Sequence, residues 1–221
     1  AVLKFDGESA VTVDTTGFSG SEDLDFNTGE AYAIEFWVYI PETSDVMALY
    51  DTRPLGEPSL GDRPWLVIQN RTLYLRVGLD TSPTTKIEWS GGSNFAYDTW
   101  HHIVVNRTTS NTTTLYVDGI NRGTTTDLGQ GAGDWISFGR SSHNASYRNY
   151  LTAWMTDIRI SDTVRYTTTF TPPTAPFTAT VNDRLLIKPD SYEVEVSPDV
   201  TITYDDYDAS LNTNIVTTTG T

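Results

Sequence analysis

The chain has no cysteine among its 221 residues. Neither a disulfide framework nor a thiolate metal site can therefore form. The lack of cysteine is compatible with assembly in the cytosol and with a secreted bacterial protein, and it is unusual for a small secreted animal domain. Histidine is also scarce, with three residues, which leaves few imidazole groups for catalysis or metal binding.

Basic residues are few, since 14 Lys and Arg stand against 29 Asp and Glu, for a formal net charge of −15 at pH 7. Nucleic-acid phosphates and anionic membrane surfaces attract cationic proteins, so we predict neither nucleic acid nor membrane as a partner. The chain also lacks an apolar run of about 18 residues, which a membrane-spanning helix would need. Hydrophobic residues make up 38% of the sequence, which favours a folded chain over a disordered one.

No segment shows helical periodicity, whereas β-branched and aromatic residues recur in short runs separated by Gly, Pro, Asn and Asp. Many short strands at this spacing predict an all-β fold, an antiparallel two-sheet β-sandwich or jelly roll. One such sandwich commonly has this length. The predicted strands are residues 1–5, 10–14, 32–40, 46–50, 65–69, 73–79, 86–89, 100–107, 113–117, 120–125, 135–138 and 151–160.

Two of these runs carry more specific predictions. Asp118 and Gly119 tolerate the positive φ angles of a type I′ turn, so residues 113–117 are predicted to pair with residues 120–125. The run 32–40 is apolar on both faces, which predicts a central strand covered on both sides.

A proline-rich run at residues 170–177 ends the sandwich pattern. Proline lacks a backbone donor, so we predict that this run lies extended over the surface. The region beyond it is too small for its own core. We predict a sandwich at residues 1–179 and a short β-rich C-terminal extension at residues 180–221 that packs on the sandwich or on a neighbouring subunit. The strand-like runs of the extension are residues 184–188, 192–196 and 200–204.

Several short motifs occur in an order typical of one family. They lie at residues 5–7, 24–29, 34–38, 100–105, 115–119, 138–140 and 155–160. Together they resemble the laminin-G-like domains of the concanavalin A-like superfamily, over roughly residues 1–180. The resemblance implies a concanavalin-A-like jelly roll. It does not fix the function, because the superfamily includes lectins, glycan-binding modules, glucanases and structural domains.

The segment that follows is similar to the closing segment of laminin-G-like domains in bacteriophage virion proteins. The similar stretches are residues 157–161, 164–166 and 170–177, whereas Ala153 stands where the family usually has Gly. This implies a virion-surface protein, either a capsid decoration or a tail appendage such as a fibre, with other virion proteins and host-surface glycans as partners. The family expectation is a homo-oligomer. Alternatives are a carbohydrate-binding module of a secreted or bacterial cell-surface protein, and a purely structural virion role.

Catalysis is not predicted. Glucanases of this superfamily carry Glu-x-Asp-x-x-Glu on one strand, and no Glu of this chain has Asp two residues later. Glu35 is predicted to pair with an arginine such as Arg159. A glycan-cleaving alternative would need an unusual carboxylate pair, for example Glu35 with Asp157. His101 and His102 are consecutive on a strand, so their rings face opposite sides and cannot share a metal ion.

Two loops are candidate ligand-binding surfaces. Aromatic faces and polar side chains suit glycan hydroxyls and rings, and one loop, within residues 140–150, is rich in both. Its candidate residues are His143, Asn144, Tyr147, Arg148 and Tyr150. The other connection, residues 51–65, is unusually long and carries Arg53 and Trp65. The alternative for the first loop is that its tyrosines pack on its own framework.

The sequence requires no cofactor, and Ca²⁺ is the one candidate, because the resembled family often holds Ca²⁺ at a sandwich rim through oxygen ligands. Acidic stretches occur at residues 23–29 and 204–208. The alternative for the first stretch is a strand edge with Leu24 and Phe26 facing inward. The alternative for the second is a solvated turn.

Overall fold

Antiparallel β-strands form the framework of the protein. The computed structural model describes residues 2–8, 10–14, 24, 26–42, 45–53, 63–79, 82–92, 95–126, 128, 135–141, 149–187, 194–196 and 201–205. The strands are β1 (Leu3–Asp6), β2 (Ala10–Asp14), β3 (Tyr32–Tyr39), β4 (Met47–Asp51), β5 (Trp65–Gln69), β6 (Thr72–Leu79), β7 (Ser82–Ser90), β8 (Trp100–Arg107), β9 (Thr113–Val117), β10 (Ile120–Thr125), β11 (Trp135–Phe138), β12 (Thr152–Ser161), β13 (Asp183–Ile187), β14 (Val194–Val196) and β15 (Thr201–Asp205). Within these ranges, no helix has the length and apolar character needed to cross a membrane.

The described strands form two antiparallel sheets. The first sheet runs β10-β9-β8-β3-β12-β13-β14, and β1 also pairs with β12. The second sheet runs β15-β2-β11-β4-β5-β6-β7. Alternate side chains of both sheets point inward and form one apolar core, to which Phe36 and Ile103 contribute from the first sheet and Ile68 and Phe138 from the second. The predicted all-β, two-sheet sandwich is confirmed.

The local predictions are confirmed as well. Strand β3 lies between β8 and β12, at the centre of the first sheet. Its inward residues Ile34 and Phe36 are fully buried, and so is Glu35 on the opposite face. Strands β9 and β10 form the predicted hairpin, in which Asp118 has a φ of 54° and Gly119 a φ of 76°. Both angles agree with a type I′ turn.

The region after Thr180 contributes strands to both sheets. Strand β13 pairs with β12 and carries β14 on its other side, which extends the first sheet. Strand β15 pairs with β2, at the edge of the second sheet. The three predicted runs of the extension therefore lie on the sandwich, while the division of the chain at residue 180 stays a prediction.

A segment without strand structure, residues 162–177, crosses the outer face of the first sheet; we call it the strap. Its rings Tyr166 and Phe170 stack with centroids 3.5 Å apart. Both rings stand nearly perpendicular to the ring of His102, with centroid distances of 6.3 Å for Tyr166 and 5.8 Å for Phe170. Near the far end, the Phe177 amide donates to Asp157 Oδ1 at 2.9 Å. The proline-rich run thus lies on the outer face of the sandwich, which agrees with its predicted surface position, and it buries polar side chains of the sheet beneath it.

Candidate functional site

The flanks of the two candidate loops are hydrogen-bonded at the same strand, β4. The two flanks of the first loop, on either side of residues 54–62, are joined by hydrogen bonds: the amide and the hydroxyl of Thr52 both donate to the Pro64 carbonyl, at 3.2 and 2.6 Å. Thr52 directly follows β4. The first loop therefore leaves and returns at the end of this strand.

The second loop is attached to the other side of β4. The Leu151 amide donates to the Gly139 carbonyl at 2.8 Å, which joins the two flanks of residues 142–148. The Ala48 amide donates to the Asn149 carbonyl at 2.8 Å, and the Gly139 amide donates to the Leu49 carbonyl at 3.2 Å. Both flanks of the second loop are thus fixed to the backbone of β4.

Three polar side chains join the two loop bases, and we call Asp51, Arg53 and Ser141 the loop-base cluster. The Arg53 guanidinium donates two hydrogen bonds to the Asp51 carboxylate, from Nε to Oδ1 at 2.9 Å and from Nη2 to Oδ2 at 2.6 Å. Nη2 also donates to the Ser141 hydroxyl at 3.0 Å, and that hydroxyl donates to Asp51 Oδ2 at 3.2 Å. A bidentate pair fixes geometry as well as charge. The cluster therefore links the base of the first loop to the base of the second.

The aromatic ring of Trp65 closes the cluster from one side. The guanidinium carbon of Arg53 lies 4.0 Å from the Trp65 ring centroid, within the range of a cation–π interaction. The Arg53 Nη1 group donates to the Gly78 carbonyl at 2.7 Å. Arg53 is 0% exposed and Trp65 is 1% exposed. The structure thus buries these two predicted ligand-binding residues at the bases of the loops.

The other five predicted ligand-binding residues belong to the second loop. Tyr150 is half-buried at its C-terminal flank, where the chain returns to β12. His143, Asn144, Tyr147 and Arg148 lie outside the described residues. Ligand contact by these side chains, and by Arg53 and Trp65, stays a prediction.

The sequence interpretation missed Asp51 and Ser141. Asp51 and Arg53 have the i, i+2 spacing that places side chains on one face of an extended chain, so their pairing could have been inferred from the sequence. The contact of Ser141 with Asp51 joins residues 90 positions apart. No local pattern indicates such a contact, because it depends on β4 and β11 being neighbours.

Glu35, one of the two carboxylates considered for catalysis, is held in a buried ionic cluster. The Arg159 Nε group donates to Glu35 Oε1 at 2.7 Å, which confirms the predicted partner. On the other oxygen, the Tyr166 hydroxyl donates at 3.1 Å, and His102 Nε2 lies 3.2 Å away. Both carboxylate oxygens are occupied and Glu35 is 0% exposed. Glu35 therefore fastens the strap to the sheet.

Burial alone would raise the pKa of Glu35, but the contact with His102 and the charge of Arg159 outweigh it, and the pKa lies below its ordinary 4.5. A depressed carboxylate pKa stabilises the fold above the unfolded-state value and loses that contribution as pH falls through the folded-state value. We expect the free energy of unfolding to decline below about pH 4.5. Urea unfolding from pH 7 to pH 3 should show a shallower decline in Glu35→Gln, and equal slopes would contradict this role.

The carboxylate pair of the glycan-cleaving alternative is also engaged in structural contacts. Asp157 lies at a register shift of β12, with a φ of 51°. Its Oδ1 accepts the hydrogen bond from the Phe177 amide, and the residue is 6% exposed. Neither Glu35 nor Asp157 is presented to a substrate at the surface. Their geometry supports a role in holding the strap.

The two consecutive histidines face opposite sides of β8, as predicted. The ring of His101 stacks on Phe95 at 4.1 Å, and its Nδ1 lies 2.7 Å from Asp118 Oδ2. The His102 backbone amide donates to Asp118 Oδ1 at 3.0 Å. Burial raises the pKa of Asp118, and the contacts with His101 and His102 more than offset it, so that the pKa is lowered. His101 thus braces the β9–β10 turn.

The calcium candidates fall largely outside the described residues, which include neither Asp23 and Asp25 nor residues 206–208. Leu24 and Phe26 are buried, which agrees with the inward-facing alternative for their stretch. Across the described ranges, no group of three or more His, Asp or Glu side chains is arranged to hold a metal ion. Calcium binding stays an open alternative.

Comparison with solved structures gives matches of the same fold at low identity. The receptor binding domain of botulinum neurotoxin D is 13% identical, with a TM-score of 0.53 over 75% of this chain and 40% of that chain. The ligand binding domain of botulinum neurotoxin serotype D, in complex with N-acetylneuraminic acid, is 12% identical, with a TM-score of 0.51 over 72% and 38%. The chain thus spans about two fifths of the length of these structures.

A search of curated proteins gives no significant match to the sequence. A family model does match: the laminin-G-type model described as the concanavalin A-like lectin/glucanases superfamily covers residues 7–168. That range includes β2 through β12, and with them the inward-facing pattern that builds the core. The chain therefore belongs to the concanavalin A-like lectin/glucanases superfamily, as a laminin-G-like domain.

Proposed function

We propose that this domain is a non-catalytic recognition module that binds host-surface glycans through the two loops at residues 54–62 and 142–148. The observation that carries this proposal is the attachment of the bases of both loops to β4, where the loop-base cluster joins them. Loops on a rigid scaffold are favoured positions for recognition. The second loop supplies the rings and polar groups that a saccharide needs, in Tyr147, Arg148 and Asn144.

The absence of catalysis is part of the proposal. Retaining glycoside hydrolysis usually needs two carboxyl groups about 5 Å apart, facing the same bond. Glu35 and Asp157, the pair considered for such a site, serve instead to bind the strap. The expected consequence is that binding proceeds without turnover of the glycan.

We place the module on a virion surface, as a capsid decoration or a tail appendage. This placement rests on the resemblance of residues 157–177 to the closing segment of phage laminin-G-like domains. The alternative is a carbohydrate-binding module of a secreted or cell-surface bacterial protein, with the same loops. Mass spectrometry of purified particles separates the two, because a virion protein is a stoichiometric component and a secreted module is absent from the particles.

A glycan array tests the binding, with Ca²⁺ present and again with EDTA. The array should include sialylated oligosaccharides, because a protein of the same fold forms a complex with N-acetylneuraminic acid. Truncation of a central binding side chain typically costs about 2 kcal/mol or more, so Tyr147→Ala and Arg148→Ala should each weaken binding roughly 30-fold. Loss of binding in EDTA alone would add a calcium ion to the site.

The control variant is Thr109→Ala, at an exposed position of the β8–β9 turn. It should bind like the wild-type protein. A folded wild-type protein that binds no glycan in either buffer would overturn the recognition proposal and favour a structural role on the particle. Glycan cleavage during the assay would overturn the non-catalytic part.

A further inference from the structure

Three aromatic side chains form a continuous row across the outer face of the first sheet. Tyr39 of β3 is paired in register with Trp100 of β8 on one side and with Trp154 of β12 on the other. The ring centroids of Tyr39 and Trp100 are 5.8 Å apart, and those of Tyr39 and Trp154 are 5.3 Å apart. We call these three residues the aromatic row. Two interstrand spacings give it a length of about 10 Å.

The strap does not cover the aromatic row, which remains accessible to solvent. Farther along the same face, Glu35 and His102 are buried beneath the strap, each at 0% exposure. Trp100 is 38% exposed, and Tyr39 and Trp154 are partly exposed. One part of the sheet face is therefore covered by the strap, and another part presents the aromatic row to solvent.

Polar groups border the row at its central residue and at one end. Asp98, in the turn before β8, is exposed and accepts a hydrogen bond from the Tyr39 hydroxyl at 3.4 Å. Lys4 of β1 is exposed and is paired in register with Trp154. The row thus combines apolar ring surfaces with one carboxylate acceptor and one ammonium donor.

Cross-strand aromatic pairs also stabilise sheets, each by roughly 0.2–1 kcal/mol, and this is the purely structural explanation. It accounts for the ring contacts. It does not account for the exposure of Trp100 beside hydrogen-bonding groups, because large aromatic side chains are normally buried more fully than this. An exposed aromatic strip bordered by polar groups has the composition of a ligand surface.

We propose that the aromatic row is a second binding surface, which takes a short neutral oligosaccharide. Sugar rings offer an apolar face for the three aromatic rings and hydroxyl groups for Asp98 and Lys4. A neutral sugar is favoured over an acidic one, because Asp98 borders the row and the chain carries a formal net charge of −15. The proposal takes only its ligand class from the proposed function, since its location lies on the opposite sheet from the loop-base cluster.

The test uses an array of neutral oligosaccharides of two to six units, followed by titration of a bound sugar while the tryptophan fluorescence is recorded. Trp100→Ala and Trp154→Ala should each weaken binding at least about tenfold. Trp100→Phe should keep most of the affinity, because it retains an aromatic face. Ile120→Ala is the matched control, since Ile120 is 45% exposed on β10 of the same sheet.

The loop variant Tyr147→Ala separates this proposal from the proposed function. Loss of neutral-sugar binding in the tryptophan variants, with retention in Tyr147→Ala, supports the row. The opposite pattern leaves the loops as the binding surface and overturns the proposal that the aromatic row binds a sugar. Circular dichroism and urea unfolding of each variant confirm that a loss of binding is not a loss of the fold. Wild-type protein that binds no neutral sugar overturns the row as well.

Discussion

Replacing Arg159 with Met is expected to lower the free energy of unfolding by about 3–5 kcal/mol. Arg159 is 6% exposed, and its guanidinium both pairs with Glu35 and lies 4.2 Å from the Phe177 ring centroid. Methionine preserves much of the side-chain volume but removes the charge. A buried carboxylate that loses its main cationic partner retains the full cost of its desolvation. Urea unfolding at pH 7, above the folded-state pKa of Glu35, measures the effect.

The matched control is an exposed ion pair of the same protein. Glu42 lies 3.4 Å from Arg71, and its side chain is 75% exposed. Exposed pairs contribute less than about 1 kcal/mol, so Glu42→Gln should change the unfolding midpoint little. Arg165 Nε lies 3.9 Å from Glu35 Oε1. If Arg159→Met costs no more than this control, then Arg165 compensates the charge of Glu35 without Arg159, and the cluster is not organised around Arg159.

Substitution of Gly119 with Ala should destabilise the protein by roughly 3 kcal/mol and release the strap. Gly119 has a φ of 76°, which L side chains rarely adopt, and an added Cβ would lie 1.8 Å from the carbonyl oxygen of Phe170. The Phe170 amide donates to the Gly119 carbonyl at 3.0 Å, so the strap cannot move away without losing this bond. Urea unfolding and the rate of proteolytic cleavage within residues 162–177 measure the two effects.

Gly92 provides a control that separates backbone strain from the steric clash. Gly92 has a φ of 51°, and an added Cβ would meet no atom within 4 Å. Gly92→Ala therefore costs only the unfavourable φ angle, about 1–2 kcal/mol, and the strap should remain resistant to protease. Equal destabilisation of the two variants, with no faster cleavage in Gly119→Ala, would show that the contact with Phe170 is not required.

The strands could be predicted because their signals are local. Runs of apolar and β-branched residues locate β3 and β8 to within one or two residues, and the pair Asp118 and Gly119 indicates the turn by its own conformational preferences. The proline-rich run predicts an extended surface segment for the same reason, since each proline restricts its own backbone. These features need no knowledge of which strand neighbours which.

The surfaces of the sheets could not be predicted from local signals. The interpretation of Arg53 and Trp65 as loop residues did not anticipate their burial, which depends on a cation–π contact and on Asp51 as a counter-ion. The aromatic row escaped notice because Tyr39, Trp100 and Trp154 become neighbours only through strand order and register. Long-range strand pairing determines both the burial of Arg53 and Trp65 and the formation of the aromatic row, and a single sequence does not reveal that pairing.

The order of strands in the second sheet has a consequence for how the chain reaches its native state. Strand β2 pairs with β11 and with β15, so that Val13 is paired in register with Ile136 on one side and with Ile202 on the other. Pairings this distant in sequence close large loops before any contact is gained, and they fold slowly. During synthesis β2 emerges from the ribosome long before either partner. Its apolar residues therefore stay exposed over that interval, which makes assembly of this sandwich dependent on protection of the nascent N-terminal strands from aggregation.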